Sequence, residues 1–304
     1  MSRIRQILVL TVVSLTVWGI LPSQATAWGR GHFYVIGTGP AGPQTATLQA
    51  LETIKRMDVI LAPTDTHTQT KLFSDYIGDK PILFDPWSGL FDYKGKSMFE
   101  LGKEETARFE AERYRIRDER VKEINVLLKQ GKEVGLLDSG NPCLFGPSHW
   151  YVEQFDPEDV VIIPGMGCDA AAMAALGKST IPAHNTRFVL QTAPFFLMDW
   201  GKDQQVLKDL CKYPMTMVLY MALYQPDKVF AALKKALPAD MPCAVVFWAG
   251  YPERQRIVRG TVADMGEKLS KDKERFMGLL FIGRFLEGNP YEKAIRRGET
   301  TAQK

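Results

Sequence analysis

At 304 residues with 45% hydrophobic content, the chain can bury a large core and divide into two domains. Its formal charge of +3 lacks the strong positive footprint of a nucleic-acid binder. Cys143, Cys168, Cys211 and Cys243 show no CxxC spacing, which excludes a zinc-ribbon or thioredoxin-like motif; no metal site is expected, and the disulfide state is open.

In chain order, residues 1–27 read as a secretory signal peptide. Arg3 and Arg5 form a positive start, Ile7 to Leu21 is apolar apart from Thr, Ser and Gly, and Pro22 breaks the run. Ala25-Thr26-Ala27 is then a small-x-small cleavage site before Trp28. The apolar run is short for a membrane span, which needs about 20 residues. An exported, periplasmic protein with no span in its mature form is expected, an uncleaved anchor being the alternative. Without Arg3 and Arg5 the charge falls to +1.

His32 to Ile36 predicts a strand, followed by the loop Gly37–Pro43. Thr45 to Arg56 predicts a helix, with Ala46, Leu48, Leu51 and Ile54 at helical spacing. Val59 to Ala62 is a second strand. Residues 64–118 are irregular, with turn residues among aromatics over Asp85–Tyr93, and Glu100 to Gln130 reads as a long charged helix. Val134–Leu137 and Val160–Ile163 are strands, each running into a Gly/Pro loop. Cys168 to Leu176, with five alanines, predicts a tightly packed helix. Beyond residue 186, strand-like Phe188–Thr192, Met215–Tyr220 and Ala244–Trp248 alternate with helical segments such as Asp227–Ala236. Gly278 to Phe285 closes a second domain. The expected division is a signal peptide at 1–27, an N-terminal α/β domain at 28–150 and a C-terminal α/β domain at 151–304.

An apolar run that ends abruptly in Gly and Pro reads as a buried strand delivering a tight loop to the end of a parallel sheet, where open α/β sheets bind ligands. Three such loops predict one shared small-molecule site. The first loop satisfies the dinucleotide pattern G-x-G-x-x-G. A dinucleotide site also wants an acid at the end of the second strand, and here that strand ends in Leu61-Ala62-Pro63, with Asp58 at the wrong end. Pro40 and Pro43 also remove amides that a pyrophosphate would use. NAD binding is therefore disfavoured.

The whole ordered set resembles the tetrapyrrole (corrin/porphyrin) methylase family. Phe33-Tyr34-Val35-Ile36-Gly37-Thr38-Gly39-Pro40, with Thr47–Leu51 and Met57–Ile60, looks like its first block. Gly131–Val134 with Ser139-Gly140-Asn141-Pro142 and Phe145-Gly146 is similar to its G-D-P block, and Ile163-Pro164-Gly165-Met166 to its I-P-G block. Thr216–Met221, Gly250–Gly260 and Ile282-Gly283-Arg284 resemble three later blocks, so the likeness spans residues 32–290.

The resemblance implies an α/β fold of two domains, each a mixed sheet flanked by helices, with S-adenosylmethionine held in the cleft between them. It implies cofactor contacts at Pro40, Ser139, Gly140, Asn141, Gly167, Cys168, Met221 and Gly250, a tetrapyrrole-like acceptor, and a homodimer. Glycines suit such a site because they let the backbone approach the ligand closely. A general base is not singled out. Asp138, His149 and Tyr151 adjoin the second loop, Asp65 and His67 follow the second strand, and Arg113, Tyr114 and Arg117 lie on the charged helix.

Three positions depart from the family pattern. The G-D-P aspartate is Asn141, which loses a charge expected to favour a cationic cofactor. Gly42 replaces an acidic residue, and Gly167 and Cys168 replace hydroxyl residues. With the signal peptide, these departures raise a non-catalytic exported ligand-binding descendant as an alternative. A peptide backbone N-methyltransferase is another, with the aromatic segment 85–120 covering an extended peptide. Methylation of ribosomal RNA is disfavoured by export and near-neutral charge.

Overall fold

Short apolar runs build two sheets in the computed structural model, which describes residues 29–63, 69–181, 186–200 and 202–287. The first sheet contains β1 (Phe33–Gly37), β2 (Val59–Leu61), β5 (Val134–Asp138) and β6 (Val160–Ile163), in the order β2-β5-β1-β6. All its pairings are parallel. Parallel sheets are covered on both faces, which is why these strands read as apolar runs without alternation.

On one face, α1 (Leu48–Arg56) and α3 (Ser74–Ile77), which follows the short α2 (Gln69–Leu72), bury Ala50, Ile54 and Ile77 against Ile36, Ile60 and Leu137. On the other, α4 (Lys103–Lys129) contributes Ile124 and Leu128, and α5 (His149–Val152) contributes Tyr151, against Phe33, Val35 and Leu136. The hairpin strands β3 (Asp92–Tyr93) and β4 (Lys96–Ser97) precede α4. Helix α4 is about 40 Å long and buries only Phe109, Ile124 and Leu128, so most of its charged surface is solvated, as its sequence predicts.

The α1 helix begins at Leu48, three residues after its expected start. Pro43–Thr45 instead form a 3₁₀ turn, and the Thr47 side chain caps α1 by accepting the Ala50 amide at 3.0 Å. The first sheet also runs past residue 150, the expected domain boundary. The apolar run Val160–Ile163 is long enough to add a fourth parallel strand beside β1.

The second sheet has the order β10-β9-β11-β8-β7, from β7 (Phe188–Thr192), β8 (Met215–Leu219), β9 (Pro242–Phe247), β10 (Arg256–Thr261) and β11 (Gly278–Ile282). β7 and β8 are parallel and the remaining pairs antiparallel, so this sheet is mixed. One face packs on α8 (Gln205–Leu210), α9 (Pro226–Leu233) and α10 (Met265–Ser270). The other is covered by α6 (Cys168–Leu176), whose Ala172 and Leu176 meet Val218, Ala244 and Phe281. Small alanines let α6 lie close to the strands. A short α7 (Pro194–Leu197) follows β7.

The four cysteines are all free, with Cys143 exposed and Cys243 buried. Among the described residues, no helix is long and apolar enough to cross a membrane, and no cluster of His, Cys, Asp and Glu is placed to hold a metal. The expected signal peptide lies outside the described residues.

Candidate functional site

The strand order decides where the loops meet. Because β5, β1 and β6 are neighbours and parallel, their Gly/Pro loops emerge side by side at one sheet edge. The Thr38 amide donates to the Asp138 carbonyl at 2.8 Å, and the Gly140 amide to the Gly39 carbonyl at 2.8 Å. The third loop packs into the other two at backbone distance. A Cβ on Gly165 would stand 2.1 Å from the Gly140 carbonyl oxygen, and one on Gly37 would stand 2.5 Å from the Gly165 nitrogen. Thr45 braces the first loop from below, accepting the Ala41 amide at 3.1 Å and donating to the Gly42 carbonyl at 2.9 Å.

The second sheet presents a matching edge. β7, β8 and β9 run in one direction, and their ends carry Pro194, Met221 and Gly250. Met221 (φ +58°), Trp248 (φ +52°) and Gly250 (φ +87°) are all left-handed. That conformation is strained for the two side-chain-bearing residues and marks a site held in shape by its surroundings. Trp248 is held by its Nε1, which donates to Glu274 at 2.9 Å, and by the Arg254 guanidinium, 3.2 Å from the ring centre.

The two edges touch at both ends of the cleft. At one end the Gln44 amide donates to the Gly250 carbonyl at 3.4 Å, and a Cβ on Gly250 would lie 3.2 Å from Ala41 and 3.8 Å from Pro40. At the other, the Phe145 ring lies flat on Tyr220, with centroids 5.6 Å apart and planes 6° from parallel.

The structure brings the expected cofactor residues to these two facing edges. Pro40 is beside Gly250, Gly140 is bonded to the first loop, and Ser139 is exposed next to it. A Cβ on Gly167 would lie 3.8 Å from Asn141, and Cys168 and Met221 both pack against the buried cluster that contains Tyr220. Asn141 also has a local task. Its Oδ1 accepts the Cys143 amide at 3.0 Å, so the turn survives the loss of the family's acid.

The candidate bases divide. Asp138 is buried under the second loop; burial pushes its carboxyl up to about 6, and the nearby Ser148 hydroxyl and the Ser139 and Ser148 amides offset only part of that. Its Oδ2 has no hydrogen-bond partner. Tyr151 is structural: its hydroxyl donates to the Pro86 carbonyl at 2.7 Å and accepts from Arg120 at 3.2 Å. Arg113 and Arg117 stack on Trp150 at 4.7 and 5.4 Å and are paired with Glu110 and Asp118, while Tyr114 packs edge-on against Trp150. Asp65 and His67 lie outside the described residues.

Two features escape sequence reading. Tyr220 is buried at the cleft with an unpartnered hydroxyl, and burial, with Cys168 and Asp169 nearby, raises its pKa, so it stays protonated. Burial, with Asp169 beside it, likewise pushes the Cys168 thiol up to about 11 and keeps it unreactive. The second feature is the aromatic doublet Phe195-Phe196 after β7, for which two adjacent exposed aromatics following a strand were the available signal.

The family model for Tetrapyrrole (Corrin/Porphyrin) Methylases matches residues 32–266, from the start of the first sheet into α10. The chain belongs to this family. Among tetrapyrrole methylases, the cobalt-precorrin-4 C(11)-methyltransferase of Methanocaldococcus jannaschii is 26% identical over 260 residues, covering 84% of this chain and 89% of that protein. A solved cobalt precorrin-4 methyltransferase of cobalamin biosynthesis shares the fold, with a TM-score of 0.64 and 22% identity over 84% of this chain and 96% of that one. A uroporphyrin-III C-methyltransferase from Thermus thermophilus, solved with S-adenosyl homocysteine, gives a TM-score of 0.54 and 19% identity, covering 84% of this chain and 99% of that one.

Proposed function

We propose that this tetrapyrrole methylase transfers a methyl group from S-adenosylmethionine to a tetrapyrrole-like acceptor held between the two sheet edges. The observation that carries this reading is the convergence of three glycine loops on one edge, opposite the left-handed Met221 and Gly250. Gly140 (φ +84°) has no heavy atom within 4 Å of where a Cβ would stand, which leaves room for a ligand beside its backbone. Pro40, Ser139, Gly140, Asn141, Gly167, Cys168, Met221 and Gly250 would hold it.

When bound, S-adenosylmethionine supplies a methyl group already activated on a sulfonium. The protein's part is then alignment and dryness more than covalent help. The loops fix position through the Thr38–Asp138 and Gly140–Gly39 backbone bonds. The Phe145–Tyr220 stack places aromatic surface at one end of the cleft, and the Tyr220 hydroxyl offers a neutral donor there. Asp138 supports the second loop from beneath.

The test is mass spectrometry of a tetrapyrrole panel after incubation with the chain and isotope-labelled S-adenosylmethionine. Label in an acceptor is expected. No transfer to any acceptor while S-adenosylhomocysteine still binds would contradict catalysis and favour a ligand-binding descendant. We also propose, from residues 1–27, that the protein is exported, and from the family that it is a homodimer.

A further inference from the structure

Aromatic side chains gather where the two domains meet on the β7 side of the cleft. The Phe195 and Phe196 rings are 4.5 Å apart, and both reach Phe145, at 6.1 and 6.0 Å. Phe196 is 73% exposed and Phe145 44%. Exposed apolar side chains clustered together in this way are a feature of interaction sites. Beside this cluster lies a cavity of about 180 Å³ whose walls include Phe195, Trp200, Met221 and Tyr224 and, among the described residues, no charged side chain. Met221 joins this cavity to the edge where the cofactor residues stand.

We propose that the aromatic corner and its cavity form an acceptor subsite for an uncharged, flat edge of a conjugated macrocycle, one bearing methyl or similar small apolar substituents in place of carboxylate arms. This rests on the methyltransferase reading above. A carboxylate entering the cavity would lose water and find no cation among the described lining residues to replace it. Flat conjugated rings suit exposed phenylalanines, through offset or edge-on packing. The cavity is smaller than the roughly 300–1,000 Å³ of whole-ligand pockets, so it takes one edge and leaves the rest of the ring over the cleft. Phe145 (φ +63°) and Met221 (φ +58°) frame the subsite in strained backbone, held by the stack on Tyr220. The turn that throws Phe145 forward is tight, since a Cβ on Gly146 would stand 1.9 Å from the Pro142 carbonyl.

The experiment titrates the full chain with coproporphyrin III and with uroporphyrin III, planar rings in which the acetate arms of the second are methyl groups in the first. Tryptophan quenching reads porphyrin binding, and calorimetry reads S-adenosylhomocysteine separately. Coproporphyrin should bind about tenfold more tightly. Phe196→Ser, which truncates an exposed ring and should fold normally, should remove most of that preference with S-adenosylhomocysteine affinity unchanged. Equal or tighter uroporphyrin binding would overturn the proposal. So would an unchanged preference in Phe196→Ser; if that variant instead lost self-association, the patch would belong to a second copy of the chain. Failure of S-adenosylhomocysteine to bind the unmodified chain would overturn the methyltransferase reading, while the porphyrin preference still decides this one.

Discussion

Gly39 and Gly140 are joined by a backbone hydrogen bond and both have positive φ, yet a methyl group added to each would do different things. On Gly39 it would stand 2.3 Å from the Thr45 carbonyl oxygen, so the first loop would have to move. Gly39→Ala should lose about 2 kcal/mol or more of stability, read by thermal unfolding, together with cofactor binding. On Gly140 nothing lies within 4 Å, so Gly140→Ala carries only the left-handed strain, about 1–2 kcal/mol. It would still occupy the space assigned to the cofactor, and S-adenosylhomocysteine affinity should fall more than about tenfold. Asp138 makes a separate prediction. Its folded pKa of about 6 lies above the ordinary aspartate value of 3.8, so the fold favours the protonated carboxyl. That stability is fully present below the ordinary value and is lost as pH rises through the folded one, by about 3 kcal/mol in all. Unfolding measured from pH 4 to 7 should show this loss, and Asp138→Asn should abolish it. Parallel profiles for the two proteins would assign the pH dependence elsewhere.

At the scale of elements, caps and strand order do most to shape the site. The Thr47 hydroxyl accepts the Ala50 amide and also reaches the Pro164 carbonyl at 3.3 Å, tying the start of α1 to the third loop. Thr47→Ala should cost about 1 kcal/mol in unfolding experiments and leave the strands intact. The parallel strands were legible because each is a short apolar run punctuated by Gly or Pro. β10 was not read as a strand: Arg256-Ile257-Val258-Arg259 places charges on an edge strand of a mixed sheet, where no continuous apolar run is needed. The late start of α1 was hidden by Pro43, which fits a 3₁₀ turn as well as a first helical turn.

At the scale of the whole molecule, the site is made by contacts that no local pattern encodes. Gln44 meets Gly250, and Phe145 meets Tyr220, across long stretches of sequence. The resemblance could nominate Pro40 and Gly250 separately; only the packing of one sheet edge against the other makes them neighbours. The burial of Asp138 and the orphan hydroxyl of Tyr220 likewise depend on tertiary packing. Export is a prediction at this scale. Protein recovered from the periplasm should begin at Trp28 on N-terminal sequencing, and full-length protein confined to the cytosol would contradict it. The most direct test of the methyltransferase cleft is calorimetric titration of the purified chain with S-adenosylmethionine and S-adenosylhomocysteine. Stoichiometric binding in the micromolar range, weakened by Gly140→Ala, is the predicted result. No heat from either ligand with a folded protein would contradict a working cofactor site.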